Sequence, residues 1–436
     1  MYGDNAFVVV ANRLPVDRVG GRWVPSPGGL VAALEPVLQS HQGCWVGWPG
    51  IPDAVMEPFE HADVRLHPVH LTTIDYAEFY EGFSNATLWP LFHDLIVHPV
   101  FEQSWWQRYQ QVNEKFAAEV AAVAARGATV WVQDYQLMLV PGLLHQLRPD
   151  VTIGFFMHIP FPAPDLFRQL PWRDELLAGL RGANLVGFQR DRDEQNFQAL
   201  GDASISTGTF PISIDPSGFG PVDASRVTTI RQLLGEPDTM ILGVDRLDYT
   251  KGILKRLVAV EELLEQELID DVSFVQIATP SRERIDHYRQ TRAAVEQAVG
   301  RINGRFGDIG RPVVHYYHRQ VSKSQLRDYY AAADVMLVTP FKDGMNLVAK
   351  EYVACHPHGD GALVLSEFAG AASELSAAYL CNPFDGESIK RGIVEAIAGR
   401  GSHAAQSAML AMNRQVNENT VAVWADAFLR RLSKEG

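Results

Sequence analysis

Short, nearly unbroken apolar runs recur along the chain at residues 7–10, 129–132, 152–157 and 185–188, and again at 240–244, 274–278, 313–317, 335–339 and 363–365. A strand covered on one face alternates apolar with polar residues, so runs without alternation predict strands buried on both faces, as in parallel sheets. Between many of them the period changes. Over residues 253–268 the apolar positions 253, 257, 260, 264 and 268 step by three or four, which places them on one stripe of a helix. Strands alternating with amphipathic helices predict an α/β fold of parallel sheets covered by helices.

The two series of strands are separated near residues 214–221, in SIDPSGFGP, where both periodicities lapse. A boundary at residue 217 is expected there, giving a domain over 1–217 and a second over 218–410. The 436 residues, 47% of them hydrophobic, exceed what one core usually holds. A formal net charge of −14 provides no overall field for nucleic acid or an anionic membrane, so any anion must be held by a local site. No apolar run approaches the roughly 18 residues of a membrane span, and the N-terminus lacks a signal-peptide profile; a cytoplasmic protein is expected. Cys44, Cys355 and Cys381 show no CxxC spacing, which points to neither a disulfide framework nor a metal site.

Ligands of doubly wound sheets lie beyond the carboxyl ends of strands, so the residues after each run carry the candidate chemistry. After 7–10 come Asn12 and Arg13, then a polar loop ending in Ser26-Pro27-Gly28-Gly29-Leu30. Paired glycines let backbone N–H groups approach an anion at a helix start, although such a pair is commonly only a turn. Neither GxGxxG nor GxxxxGK followed by Ser or Thr occurs, which argues against dehydrogenase and P-loop chemistry. Tyr80 and Trp89 in EFYEGFSNATLWP, with Trp45 and Trp48, offer flat faces and polar edges suited to a sugar phosphate, although composition alone favours packing for them. Asp134 in WVQDYQL and His158 in GFFMHIPFP follow two first-half runs. A carboxylate there can accept from sugar hydroxyls, and an imidazole can donate to one or act as acid or base.

In the second half, Arg246 and Lys251 in GVDRLDYTKGI lie between a strand and a helix, where two cations can neutralise a diphosphate. Arg282, four residues past 274–278, adds a third cation. Asp343-Gly344-Met345-Asn346-Leu347-Val348-Ala349-Lys350-Glu351 follows 335–339. It offers one carboxylate at a helix start for sugar hydroxyls and another about two turns along for a ribose diol. As pattern alone, an Asp at a helix start is commonly a cap.

Together these segments resemble the trehalose-6-phosphate synthases, retaining glycosyltransferases of family 20. ANRLP, SPGGL, FSNATLWP, WVQDYQL, GFFMHIPFP, GVDRLDYTKG, ATPSR, GRINGRFG, TPFKDGMNLVAKEY and LSEFAGAASEL occur in family order at family-like distances. The resemblance implies the GT-B fold, an α/β architecture of two Rossmann-like doubly wound domains facing a central cleft. It also implies that a helical segment, 411–436, packs back on the N-terminal, acceptor-binding domain. Arg13, Tyr80, Trp89, Asp134 and Arg282 match acceptor-binding residues. Gly29, His158, Arg246, Lys251, Asp343, Gly344, Met345, Asn346, Leu347 and Glu351 match donor-binding residues, with His158, Arg246, Lys251 and Asp343 carrying catalysis. Two departures stand out: Ser213 where glycine is expected, and a short connection over 197–211.

The implied reaction moves glucose from UDP-glucose, or secondarily GDP-glucose, to glucose 6-phosphate. Same-face attack is expected, with no metal and no cofactor. Partners are the nucleotide sugar and the sugar phosphate, without nucleic acid or membrane, and a homo-oligomer would be unsurprising. The competing readings are a pseudo-glycosyltransferase joining aminocyclitols, and a non-catalytic sugar-phosphate sensor. The intact set of acceptor and donor residues argues against both.

Overall fold

The computed structural model describes residues 3–26, 31, 34, 37–39, 41–201, 205–220 and 222–435. Gly29, with its neighbours 27–30, lies outside the described residues. Two compact units result: residues 1–212 with 421–436, and residues 213–420.

In the first unit the strands are β1 (Asn5–Arg13), the hairpin β2 (Val16–Val19) and β3 (Arg22–Pro25), β4 (Cys44–Trp48), β5 (Phe59–His61), β6 (Val64–Pro68), β7 (Ala124–Gln133), β8 (Thr152–Phe156), β9 (Leu185–Phe188) and β10 (Thr207–Thr209). Eight of them form a sheet in the order β10-β9-β8-β7-β1-β4-β6-β5, with only the β5–β6 pair antiparallel. The chain lays β4 and β6 on one side of β1, then crosses to build β7 to β10 on the other. The ends of β1 and β7 therefore flank a switch point, the usual ligand position of such sheets. The helix Val421–Leu432 belongs to this unit: its Phe428 stacks on Trp131 of β7 at 4.7 Å, and Trp424 lies 5.0 Å from the same ring. Glycines permit that approach, since a Cβ at Gly154 or Gly187 would come within 2.8 or 2.7 Å of the Phe428 ring.

The second unit contains β11 (Thr239–Arg246), β12 (Val272–Thr279), β13 (Val314–Tyr317), β14 (Val335–Val338), β15 (Ala362–Ser366) and β16 (Tyr379–Cys381). They form one parallel sheet ordered β13-β12-β11-β14-β15-β16, with its switch point at β11 and β14. The helix Ile253–Glu265 covers one face, burying Ile253, Leu257, Ala259, Val260 and Leu263 against Phe274, Leu337 and Val364. Leu268, read as the last position of its apolar stripe, lies beyond the helix end and is exposed.

The first boundary falls after Ile212, five residues before the expected one. Ile212 N–H still donates to Gln189 of the first unit at 2.9 Å, whereas Phe219 packs 6.4 Å from Tyr330 of the second. Ser213 is buried without left-handed backbone, so its position does not demand glycine. The last boundary also shifts, from 410 to 420. The helix His403–Glu418 stays with the second unit, where Asn413 Nδ2 donates to Val353 O at 2.8 Å and Met409, Met412 and Val416 are buried. Among the described residues no helix is long and apolar enough to cross a membrane.

Candidate active site

In the first unit a chain of contacts joins five of the six residues expected there. Arg13 ends β1; its guanidinium pairs with Asp17 and lies 5.1 Å over the Trp48 ring at the end of β4. Trp48 meets Tyr76 at 5.2 Å, and Tyr76 stacks on Tyr80 at 5.4 Å. Tyr76 and Tyr80 lie on a 13-residue π-helix, Tyr76–Leu88, whose last turn closes with Trp89 N–H donating to Ser84 O. Such wide turns are rare and concentrate at functional sites. Its entry is anchored by Thr72 and Asp75, which cap one another reciprocally; buried Asp75 also pairs with Arg108 at 3.2 Å and Lys115 at 2.6 Å.

Asn85 ties this π-helix to the end of β7. Its Nδ2 donates to Tyr80 O at 2.7 Å, and its Oδ1 accepts from the Tyr135 hydroxyl at 2.8 Å. Trp89 lies 5.8 Å from the Tyr135 ring. Asp134 itself adopts φ +74°, a left-handed conformation uncommon for a non-glycine residue. The turn aims its Oδ1 at the His158 backbone N–H, 3.1 Å away. The His158 ring lies between two buried amides: Nε2 is 2.8 Å from Gln133 Oε1, and Nδ1 is 3.3 Å from Gln189 Nε2. Burial pushes the imidazole down to about 3, so it stays neutral near physiological pH.

In the second unit the expected cations gather around a carboxylate that the sequence reading did not single out. Asp248, fully buried, accepts from Thr250 N and Oγ1 at 2.9 Å each, from Tyr288 Oη at 3.0 Å and from Arg282 Nη1 at 3.4 Å. Burial pushes its carboxyl up, but Arg282, Arg246 and Lys251 together with the Thr250 N–H more than reverse this, leaving it below its ordinary value. Lys251 Nζ donates to Asp343 Oδ2 at 2.6 Å, and Asn346 Nδ2 reaches the same oxygen at 3.1 Å. Arg246 is exposed at the end of β11.

The strand-to-helix turn after β14 differs from the expected geometry. Asn346, at φ +79°, caps the helix Leu347–Ala354 by accepting Ala349 N–H at 3.2 Å, so Asp343 is not the cap. Because the helix starts only at Leu347, Glu351 stands little more than one turn along it rather than two. The turn is pressed against Gly370, where a Cβ would lie 1.9 Å from Gly344 O; Ala371 N–H donates to Met345 O at 2.8 Å. Glu351 accepts from the Tyr330 hydroxyl at 2.8 Å, and burial pushes it from 4.5 up to about 7.

Arg256 is a second residue that the sequence reading missed. Fully buried, it pairs with Asp245 at 2.7 Å and donates to Leu337 O at 3.1 Å, Thr339 Oγ1 at 3.1 Å and Lys251 O at 2.7 Å. It thus pins the Lys251 turn to the ends of β11 and β14. A helix-borne arginine five residues after a candidate lysine was the signal available, but it also fits a solvated face.

Two parallel doubly wound units, each with polar side chains at the switch point of its sheet, define a GT-B glycosyltransferase. The chain belongs to glycosyltransferase family 20, whose profile matches residues 5–434. It is 51% identical over 468 aligned positions to the trehalose-6-phosphate synthase of Mycobacterium sp. (strain KMS), covering 99% of this chain and 96% of that one. Among solved structures it resembles an alpha,alpha-trehalose-phosphate synthase (UDP-forming) from Burkholderia vietnamiensis, with a TM-score of 0.89, 34% identity and coverage of 99% and 97%. The corresponding enzyme from Burkholderia xenovorans, in complex with glucose-6-phosphate, gives a TM-score of 0.88 at 33% identity and coverage of 98% and 99%.

Proposed function

We propose that this glycosyltransferase is a trehalose-6-phosphate synthase, moving glucose from UDP-glucose to glucose 6-phosphate with retention and without a metal. The observation that carries the reading is the grouping of Arg246, Lys251 and Arg282 around Asp248, with Asp343 paired to Lys251. Cations at a strand-end switch point suit a diphosphate, and a carboxylate beside them suits the hydroxyls of the sugar it carries. The names of the relatives support the same substrates.

In the proposed step the acceptor 1-hydroxyl oxygen bonds to the anomeric carbon on the face from which the diphosphate departs. The bond from that carbon to the diphosphate oxygen breaks, and the hydroxyl proton passes to the leaving diphosphate. Arg246 and Lys251 stabilise its growing charge. Asp343 holds donor-glucose hydroxyls, Glu351 the ribose diol, and the Gly344–Leu347 backbone the rest of the donor. Arg13, Tyr80, Trp89, Asp134 and Arg282 bind the acceptor. His158, neutral and held on both ring nitrogens, contributes as a fixed wall beside the reacting glucose rather than as acid or base.

The test is incubation of the protein with glucose 6-phosphate and UDP-, GDP- or ADP-glucose, with and without EDTA. Product mass and anomeric configuration are then read. An α,α-linked disaccharide phosphate formed fastest from UDP-glucose, unaffected by EDTA, is expected. An inverted product or loss of turnover in EDTA overturns the mechanism, and absence of any product overturns the function.

A further inference from the structure

His158 sits in the middle of a hydrogen-bond chain whose direction is set at both ends by the backbone. At one end, Ile212 N–H meets Gln189 Oε1 at 2.9 Å; a backbone N–H can only donate, so the atom it faces is the amide oxygen. The Gln189 NH2 group therefore faces His158 Nδ1, 3.3 Å away, and that nitrogen must accept. The proton of the neutral ring is left on Nε2, which donates to Gln133 Oε1 at 2.8 Å. At the other end, Gln133 Nε2 donates to Trp131 O at 3.4 Å, and a carbonyl can only accept. All four bonds run the same way. Amide orientation is ordinarily ambiguous, but two main-chain ends of opposite kind remove the ambiguity here.

Gln133 and Gln189 are 0% and 2% exposed, so neither can turn to water for a different partner. The other groups packed on His158 are the rings of Phe156 at 4.7 Å and Trp424 at 6.1 Å, and the Asp134 carboxylate, which accepts the His158 backbone N–H. Protonating Nδ1 would set an N–H against the Gln189 NH2 group, and among the described residues no other acceptor faces that edge.

We infer that Gln133 and Gln189 are positioning residues that lock His158 as the neutral Nε2–H tautomer, so that no positive charge stands beside the reacting glucose. The functional half of this inference rests on the proposed glucosyl transfer. Departure of the diphosphate leaves the sugar ring with oxocarbenium-like positive charge, which an adjacent imidazolium would repel. A histidine fixed as neutral shapes the site without that penalty. The lock also runs through Ile212, the last residue of the first unit before the chain leaves it.

The experiment is a pH titration of the full chain labelled with 15N-histidine, the His158 signals being those absent from a His158→Ala sample. The expected wild-type result is a bare Nδ1 and a protonated Nε2 that do not titrate between about pH 5 and 8. Gln189→Glu keeps an oxygen for Ile212 N–H and turns a second one toward Nδ1, so it should make the ring protonate within that range. Transfer should then fall by about tenfold per pH unit below the new pKa, with KM for the nucleotide sugar little changed. Gln189→Met, which supplies neither donor nor acceptor, should give mixed tautomers. Wild-type titration within the range, a proton found on Nδ1, or Gln189→Glu protein with the wild-type pH profile would overturn the inference. Should Gln189→Glu not fold, the wild-type titration decides alone. A locked tautomer in a protein that transfers no glucose would leave the lock standing and remove the proposed function instead.

Discussion

Lys251 Nζ stands 2.6 Å from Asp343 Oδ2, joining the loop after β11 to the loop after β14. A cation assigned to the diphosphate and a carboxylate assigned to the sugar thus form one ion pair. Both side chains are largely buried, so the pair is worth more than a surface contact. Asp343→Asn should therefore leave nucleoside diphosphate binding unchanged or tighter, because Lys251 is released to the phosphate. Turnover should fall by about a hundredfold or more, because the reacting glucose loses its carboxylate. Calorimetry with UDP beside kcat would show the split; parallel losses in both would refute the assignment.

Arg256 makes a different prediction, about stability. Arg256→Ala leaves Asp245 buried without its partner, and breaking such a pair typically costs about 3–5 kcal/mol. The double variant Arg256→Met with Asp245→Leu should recover much of that loss in urea denaturation. It should not recover UDP affinity, because the Lys251 carbonyl still lacks its donor.

Arg246 and Arg282 should separate in the same way. Arg282 is buried against Asp248 and the Tyr288 hydroxyl, so Arg282→Ala should lower the denaturation midpoint as well as ligand affinity. Arg246 is exposed, and Arg246→Ala should spare the midpoint while weakening UDP binding by about 10- to 100-fold, the worth of one charge-assisted hydrogen bond. Measuring UDP and glucose 6-phosphate affinities in both proteins also tests the acceptor role expected of Arg282. Equal losses of both ligands in both variants would leave only a general electrostatic role.

The Glu351 carboxyl, pushed up to about 7 by burial, holds its proton in the folded state at pH values where an unfolded chain has lost it. Its ionisation therefore destabilises the fold as pH rises from about 4.5 to about 7, by on the order of 3 kcal/mol, with no further change above that window. Glu351→Gln removes this dependence. Relative to wild type, the variant should gain thermal stability between pH 5 and 8, while losing affinity for a nucleotide with an intact ribose. A constant difference in midpoint across that range would show that the burial does not act as described.

Every apolar run read from the sequence is a strand of one of the two sheets, and all but β13 are central, where a parallel strand has no polar face to interrupt its hydrophobicity. The strand β4 is among those that escaped that reading: Cys44–Trp48 is buried along its whole length, and the packing that composition favoured for its two tryptophans is what β4 supplies. The positions of Arg13, Asp134, Arg246 and Asp343 just past strands were also legible, since strand ends and punctuation are local features. What each charge meets there was decided by tertiary structure alone. Asp248 and Arg256 sit among the charged residues of a loop and a helix. Only the approach of β12 and β14 buries them and turns ordinary polar residues into the frame of a cation site. The π-helix could not be read, because its i to i+5 bonds have no side-chain period of their own and depend on anchors such as Asp75 and Asn85. The glutamines around His158 carry no charge and no periodicity. Their direction comes from two backbone groups, at Trp131 and Ile212, that lie 81 residues apart and meet the same chain only after the sheet is assembled.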